Sequence, residues 1–467
     1  MIYQVPEHID KDRVFVVKRS EIEGRLDPKI VLYNRKVRHS LYPKTKMKDI
    51  LVCKPQYGAA EPGVTRTDPK SPRYIRITDI DEYGLISHKD LGVTANLTDE
   101  KYVLLENDIL IARSGATVGK SYIHKKSPYT CFFAGYLIRF VINPQRALPE
   151  YVFAFTQTET YKEWVNAIQR PSGQPNINAE EYQSLEIPLP TIDTQEKIVS
   201  VLHAAYSNKH QKESEAQLLL DSIDKYLLDE LGITLPKIGN ALEDRIFIVN
   251  HRQIEGRLDP TIYKDGIQLI STTWDNLRLS TVAFINPGGG QRWRNNETTI
   301  SFIPMEAIDE VFSEIAVMRE TTIEQSHGFT KFKEGDLLWA KITPCMQNGK
   351  SAIARNLTNG LGCGSTEFYV LRPKDERLSI EYLHVILHMR CIRDTAMLFF
   401  GGSAGQQRVS SSFLENFNLP LPPKKVQIDI ANHIYAIRKQ AKALQEEGKA
   451  ILEQAKKEVE QRIMGEA

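Results

Sequence analysis

Ile22-Glu-Gly-Arg-Leu-Asp-Pro28 returns unchanged as Ile254-Glu-Gly-Arg-Leu-Asp-Pro260, inside a longer match of residues 15–28 to residues 247–260. Seven identical residues at an offset of 232 are beyond chance, and an internal repeat governs every later reading of a chain. Further along, Glu106-Asn-Asp-Ile-Leu-Ile-Ala-Arg113 matches Glu334-Gly-Asp-Leu-Leu-Trp-Ala-Lys341 at offset 228, and Gly119-Lys-Ser121 matches Gly349-Lys-Ser351 at offset 230. Leu185-Glu-Ile-Pro-Leu-Pro190 against Phe417-Asn-Leu-Pro-Leu-Pro422 restores the offset of 232, so the small insertions cancel and the two halves have equal length.

Each half ends in a long helical pattern. After the first Pro-Leu-Pro, residues from about 193 to 231 lack proline, open on Asp193-x-x-Glu196 as a capping pattern and close on Gly232 and Pro236. After the second, residues from about 424 to 464 carry Ile430, Ile434, Ile437, Ala441, Leu444, Ile451 and Ala455 at spacings of three or four, a heptad-like seam that Gly448 completes. The first helix carries Ile198, Leu202, Ala205, Leu219, Ile223, Leu227 and Leu231 around a polar centre from Asn208 to Glu215. Roughly 38 residues make a helix about 57 Å long, which needs a partner along its length. Each helix leaves one half and delivers the chain onward, so the economical pairing is antiparallel, helix against helix, the alternative being two separate helices each packed on its own domain.

The remaining sequence alternates β-rich runs, such as Tyr136-Leu-Ile-Arg-Phe-Val141 and Phe368-Tyr-Val-Leu371, with helical patches near 149–168 and 379–396. The expected fold class is α+β: two tandem domains of similar fold joined by a pair of long antiparallel helices, a coiled coil, with an internal pseudo-twofold repeat. Residues 1–190 form the first domain, 191–235 the first helix, 236–422 the second domain and 423–467 the second helix.

Composition narrows the function. The 467 residues exceed one ordinary core. Sixty Lys and Arg against 59 Asp and Glu give a net charge of +1, so any nucleic-acid surface must be local. No apolar run is long enough to span a membrane, and the N-terminus does not read as a signal peptide. Cys53, Cys131, Cys345, Cys363 and Cys391 lie far apart without a C-x-x-C pair, which argues against a zinc cluster or disulfide framework, predicts no metal site and suits a reducing cytoplasm.

Catalytic signatures are missing. Ser114-Gly-Ala-Thr-Val-Gly-Lys-Ser121 resembles a phosphate-binding loop but is one residue short, and its copy lacks the leading glycine, so both read as turns between strands. Gly360-Leu-Gly-Cys-Gly-Ser365 has cofactor-loop spacing without the strand and helix such a loop needs, and reads as a plain loop. No acidic-Pro-Pro-aromatic loop of an amino-methyltransferase occurs, and the histidines form no H-E-x-x-H pair. No catalytic residue is assigned.

Binding chemistry is present. The first 75 residues hold 16 Lys and Arg against 9 Asp and Glu, concentrated at Arg35, Lys36 and Arg38 and at Lys44 and Lys46, a patch suited to neutralising phosphates and equally explained as a solvated surface. Two Gly- and Gln-rich loops, residues 170–177 and 401–409, occupy matching places at offset 232. The first offers Arg170, Ser172, Gly173, Gln174 and Asn176; the second offers Gly405, Gln406, Gln407 and Arg408. Gln and Asn pair bidentately with adenine and Arg with guanine, while glycine admits close backbone approach to phosphate. Gln291, Arg292 and Arg294 repeat this composition, and the basic residues Arg113, Lys120 and Lys341 of the repeated strand blocks complete the candidates.

The arrangement resembles the specificity subunit of type I restriction-modification systems. The resemblance covers the whole chain and is carried by the Leu185–Pro190 and Phe417–Pro422 junctions into the helices, the paired strand blocks and the repeated IEGRLDP. It implies a non-catalytic protein whose two target-recognition domains each read one half of an asymmetric bipartite DNA target while the helices fix the spacing. It also implies that the helices, with Ile198, Leu202, Leu219, Ile223, Ile430, Ile434, Ile437 and Leu444 as partner-binding residues, hold two methyltransferase subunits. Those partners would use S-adenosylmethionine, with no cofactor in this chain, and a motor-nuclease restriction subunit would cut unmodified DNA. The rival readings are a tandem-repeat nuclease acting alone and a pure protein scaffold.

Overall fold

A computed structural model describes residues 6, 14, 16–17, 28–37, 40–86, 91–169, 175–235, 270–288, 296–402 and 406–465. The repeated IEGRLDP blocks fall outside the described residues, apart from Pro28. The chain divides into two compact units, residues 1–211 with 447–467, and residues 212–446.

In the first unit, helix α1 (Pro28–Val37) precedes strands β1 (Lys44–Lys46), β2 (Gln56–Tyr57), β3 (Val64–Thr65), β4 (Arg73–Ile75) and β5 (Val93–Thr94). Strands β6 (Ile109–Ala112), β7 (Ser121–Ile123), β8 (Cys131–Phe133) and β9 (Leu137–Phe140) follow. Then come helices α2 (Pro149–Phe155), α3 (Glu159–Ile168) and α4 (Ala179–Gln183), strand β10 (Glu186–Pro188) and the long helix α5 (Ile192–Glu230). The main sheet is antiparallel in the order β2-β9-β6-β7. Its strand β6 reads Ile-Leu-Ile-Ala because both faces are covered. Ile109 and Ile111 join a core with α2, α3 and the long helices, whereas Leu110 and Ala112 join a second core with Ile75, Phe133 and Leu137.

The second unit repeats the plan. Strands β11 (Asn276–Arg278) and β12 (Ala283–Ile285) flank helix α6 (Leu279–Val282). Strands β13 (Thr299–Ile303), β14 (Arg319–Thr322), β15 (Thr330–Lys333), β16 (Leu337–Ala340), β17 (Ser351–Ile353), β18 (Leu361–Gly364) and β19 (Phe368–Pro373) build two four-stranded sheets, β12-β19-β16-β17 and β14-β13-β18-β15. Helices α7 (Ile380–His388) and α8 (Arg390–Met397), strands β20 (Phe400–Gly401) and β21 (Arg408–Val409), helix α9 (Ser411–Asn416) and strand β22 (Asn418–Pro420) lead to the long helix α10 (Lys424–Met464). Strand β16 is again covered on both faces, with Leu337 and Trp339 on one core and Leu338 on another.

One expectation fails here. The glycine cluster near 360–365 is no loop but strand β18, an inner strand of its sheet. A Cβ at Gly362 would meet the Phe332 ring at 2.3 Å and one at Gly364 the Ile303 carbonyl at 2.2 Å, so the missing side chains are space for neighbours. The phosphate-loop mimic and its copy, by contrast, are the expected turns, connecting β6 to β7 and β16 to β17.

Helices α5 and α10 span 39 and 41 residues. In the first unit, Ile198, Leu202 and Ala205 of α5 share a core with Leu452, Ala455, Val459 and Ile463 of α10. In the second, Ala216 joins Ala441, and Ile223, Leu227 and Leu231 join Ile430 and Ile434. As α5 numbers rise, α10 numbers fall, so the helices pair antiparallel. Their roots are built alike. Gln195, fully buried, accepts from Leu148 N at 2.8 Å and donates to Pro190 O at 2.9 Å; Gln427, equally buried, accepts from Ser379 N at 2.8 Å and donates to Pro422 O at 2.7 Å. Tyr151 and Tyr382 donate in the same way to Pro188 O and Pro420 O.

Candidate nucleic-acid interface

Each hairpin turn is fastened by a segment some sixty residues downstream. In the first domain, Gly115 N donates to Pro175 O at 3.0 Å and Ile177 N to Arg113 O at 2.8 Å, leaving Ser114 and Asn176 as an antiparallel bridge. In the second, Thr343 N donates to Gln407 O at 3.0 Å and Val409 N to Lys341 O at 2.9 Å, with Ile342 and Arg408 as the bridge. The turns need glycine. Gly119 and Gly349 have φ of +85° and +88°, and a Cβ there would meet Val165 at 2.7 Å or His388 Nε2 at 2.9 Å.

The clamp brings together residues that the sequence analysis proposed separately: Arg113 with Asn176, and Lys341 with Gln407 and Arg408. The side chains they present differ. Arg113 lies with its guanidinium carbon 4.9 Å from the Tyr57 ring centre, and its buried Nε has no hydrogen-bond partner among the described residues. Its backbone N donates to Tyr136 O at 2.9 Å, and the Tyr136 side chain is 65% exposed. In the second domain the Lys341 ammonium stands 5.2 Å from the Tyr369 ring centre, and Tyr369 donates to Val409 O. Arg408 is held by Glu367 through two hydrogen bonds of 2.8 Å. Those bonds, with the Arg408 and Lys341 charges, hold the Glu367 carboxyl below its ordinary range despite partial burial.

Tyr57, Tyr136 and Glu367 were missed by the sequence reading. They reach the clamp from other strands and turns, and no local pattern marks them.

Other candidates sit elsewhere. Lys120 lines a cavity of about 430 Å³ with Gln157, Lys162, Asn166 and Gln169. Lys44 and Lys46 lie on β1, which pairs with β10 at the root of α5, with Lys46 opposite Glu186; that ladder is not the sheet carrying Arg113. Arg35 and Lys36 belong to α1, but their side chains, together with Arg38, Arg170, Ser172, Gly173, Gln174, Gln291, Arg292, Arg294 and Gly405, lie outside the described residues.

The seam residues named for partner binding need correction. Ile198, Leu202, Ile223, Ile430 and Ile434 are buried, and Leu219, Ile437 and Leu444 are half-buried, all packed in cores of this chain. Apolar periodicity shows that a helix face is covered, not by whom.

One arrangement mimics a nucleophile and its base. Ser351 Oγ lies 3.2 Å from His384 Nε2, and His384 Nδ1 lies 3.1 Å from the Tyr435 hydroxyl. Both Ser351 and His384 are 1% exposed, and burial, with Arg438 nearby, pushes the imidazole pKa down to about 3. A neutral, inaccessible imidazole joins strand to helix. Among the described residues no helix is long and apolar enough to cross a membrane.

Comparison with known proteins places these features. A family model described as the type I restriction modification DNA specificity domain matches residues 72–219 and 291–454. The type I restriction enzyme EcoEI specificity subunit of Escherichia coli is 36% identical over 162 residues, 34% of this chain and 26% of that one. The EcoAI specificity subunit of the same species is 36% identical over 157 residues, 33% of this chain and 26% of that one. These alignments take in about a quarter of each relative's length. A chain from a structure titled for complex assembly and conformational transition of the type I R-M system shares the fold, with a TM-score of 0.52 at 16% identity, over 91% of this chain and 98% of that one.

Proposed function

The chain belongs to the family of type I restriction modification DNA specificity domains, and from that premise we propose that it is the DNA-reading specificity subunit of a type I restriction-modification complex, with no catalysis of its own. Each domain reads one half of an asymmetric bipartite target, and the helix pair sets the distance between the halves. Two methyltransferase subunits sit on the helices and use S-adenosylmethionine to methylate adenine N6, and a restriction subunit cuts unmodified DNA, all in the cytoplasm.

One observation carries this reading: the same main-chain clamp is built twice and carries unlike side chains, Arg113 and Asn176 in one domain, Lys341 and Arg408 in the other. Backbone geometry positions a reader and side chains choose the base, so a repeated frame with different side chains suits two different half-sites. With a net charge of +1, this reading leaves much of the phosphate grip to the partner subunits.

Adenine-methylation mapping in cells that co-express the chain with its methyltransferase tests the proposal. The expected result is a two-part, asymmetric motif whose gap changes when four residues are inserted into each long helix. A palindromic motif, an unchanged gap, or DNA cleavage by the isolated chain with Mg²⁺ would each count against it.

A further inference from the structure

We infer that the second domain reads a guanine through Arg408, and that Glu367 is the positioning residue that aims it. This rests on the DNA-reading function proposed above.

A guanidinium has five N–H donors in a fixed plane. In Arg408, Nε donates to Glu367 Oε2 and Nη2 to Glu367 Oε1, both at 2.8 Å, and Nη1 donates to Gln406 O at 3.0 Å. Three donors are occupied within the chain. One N–H remains on each terminal nitrogen, and the side chain is 43% exposed. Two remaining donors on a rigid, partly exposed fork match in number the paired acceptors O6 and N7 that guanine presents in the major groove.

A phosphate also offers paired oxygens, and charge separates the two ligands. The Glu367 carboxylate sits on the same guanidinium, so the pair carries no net charge and a phosphate would approach an anion. Directional hydrogen bonding to an uncharged base edge is unaffected. Positive charge is supplied beside the fork by Lys341, whose backbone N donates to Glu367 O at 2.9 Å. Arg408 is also fixed at its root, because its neighbour Val409 is buried and bound to Lys341. Among the described residues the first domain has no such fork: Asn176 stands where Arg408 does and Tyr136 where Glu367 does, each within the same clamp.

The test is selection from a randomised pool of double-stranded DNA by the full chain in complex with its methyltransferase, comparing wild type with R408A, R408K and E367Q. Wild type should select a two-part motif containing a G·C pair in one half. R408A should flatten preference at that one pair by roughly 5- to 150-fold while the other half-site stays intact, which also reports that the variant is folded. R408K should keep much of the affinity but not the preference, because an ammonium has no planar fork. E367Q should weaken the same preference and raise non-specific binding, with a salt slope steeper by about one. A uniform loss across all sequences in R408A, flattening at an A·T pair, or preferences that survive R408A would overturn the assignment alone. A wild-type complex that selects no sequence would overturn the proposed function, and the assignment with it.

Discussion

The two domains fasten their hairpin turns with the same pair of main-chain hydrogen bonds, yet the side chains at matching clamp positions differ, Arg113 and Asn176 against Lys341 and Arg408. The same contrast runs through their interiors. In the second domain the buried Asp336 takes two 2.7 Å bonds from Arg372; in the first, Asp108 has one 3.4 Å contact with Arg139. Both carboxylates also accept a backbone N–H, from Lys333 and Leu105. Duplication has kept backbone bonds, which any side chain can support, and let side-chain chemistry drift.

The largest expected difference lies in those ion pairs. Asp336→Ala strands a half-buried guanidinium and should cost about 3–5 kcal/mol, whereas Asp108→Ala should cost about 1–3 kcal/mol. Burial already pushes the Asp108 pKa up in spite of Arg139, so its ionised form gains less from the fold. Urea unfolding followed by hydrogen exchange in β16 and β6 measures both; equal losses would break the comparison.

Acid should separate the domains next. Helix α7 carries His384 and His388 where α2 and its following turn carry Phe153 and Gln157, counting from their caps Ser379 and Leu148. The folded pKa of His384 is about 3 and that of His388 is also lowered, both through burial first. An unfolded imidazole titrates near 6.5, so below that pH the unfolded chain binds more protons and stability falls, through a window that for His384 closes near pH 3. At pH 5 His384 alone should remove roughly 2 kcal/mol from the second unit. His384→Phe, borrowing the first domain's residue, should lower stability at pH 7 but flatten its pH slope; exchange rates in α7 measured between pH 7 and 5 decide this, and an unchanged slope would refute it.

The smallest contrast should lie at the helix roots. Gln195→Ala and Gln427→Ala break the matching bonds at the two helix roots, Gln427→Ala also losing a 2.8 Å donation to Arg377 O, and each should cost about 1–3 kcal/mol, mostly from a stranded backbone N–H. Matched shifts in thermal unfolding would sharpen the picture of a common frame. A large inequality would show that the roots have diverged like the surfaces.

Much of the fold was legible because its signals are local or periodic. Helix α10 was read at its bounds and α5 within one residue, since a long seam leaves an apolar residue every third or fourth place. The candidate site was legible only in pieces. Arg113 and Asn176 stood out by type, but their meeting depends on a bond between residues 115 and 175. Glu367 looked like any surface acid until Arg408 was placed against it. The glycines of β18 misled because the Phe332 ring that fills their space lies thirty residues away.

Sequence by itself determined that the molecule is a duplicate, that its halves have equal length, and that each ends in a helix too long to stand alone. Offsets and periodicities survive in one dimension. Tertiary structure alone decided which polar groups share a surface, which seam residues are consumed inside the chain, and which arginine is neutralised by a carboxylate. Those outcomes depend on distances of about 3 Å between residues far apart along the chain, and pairings of that kind leave no periodic trace in it.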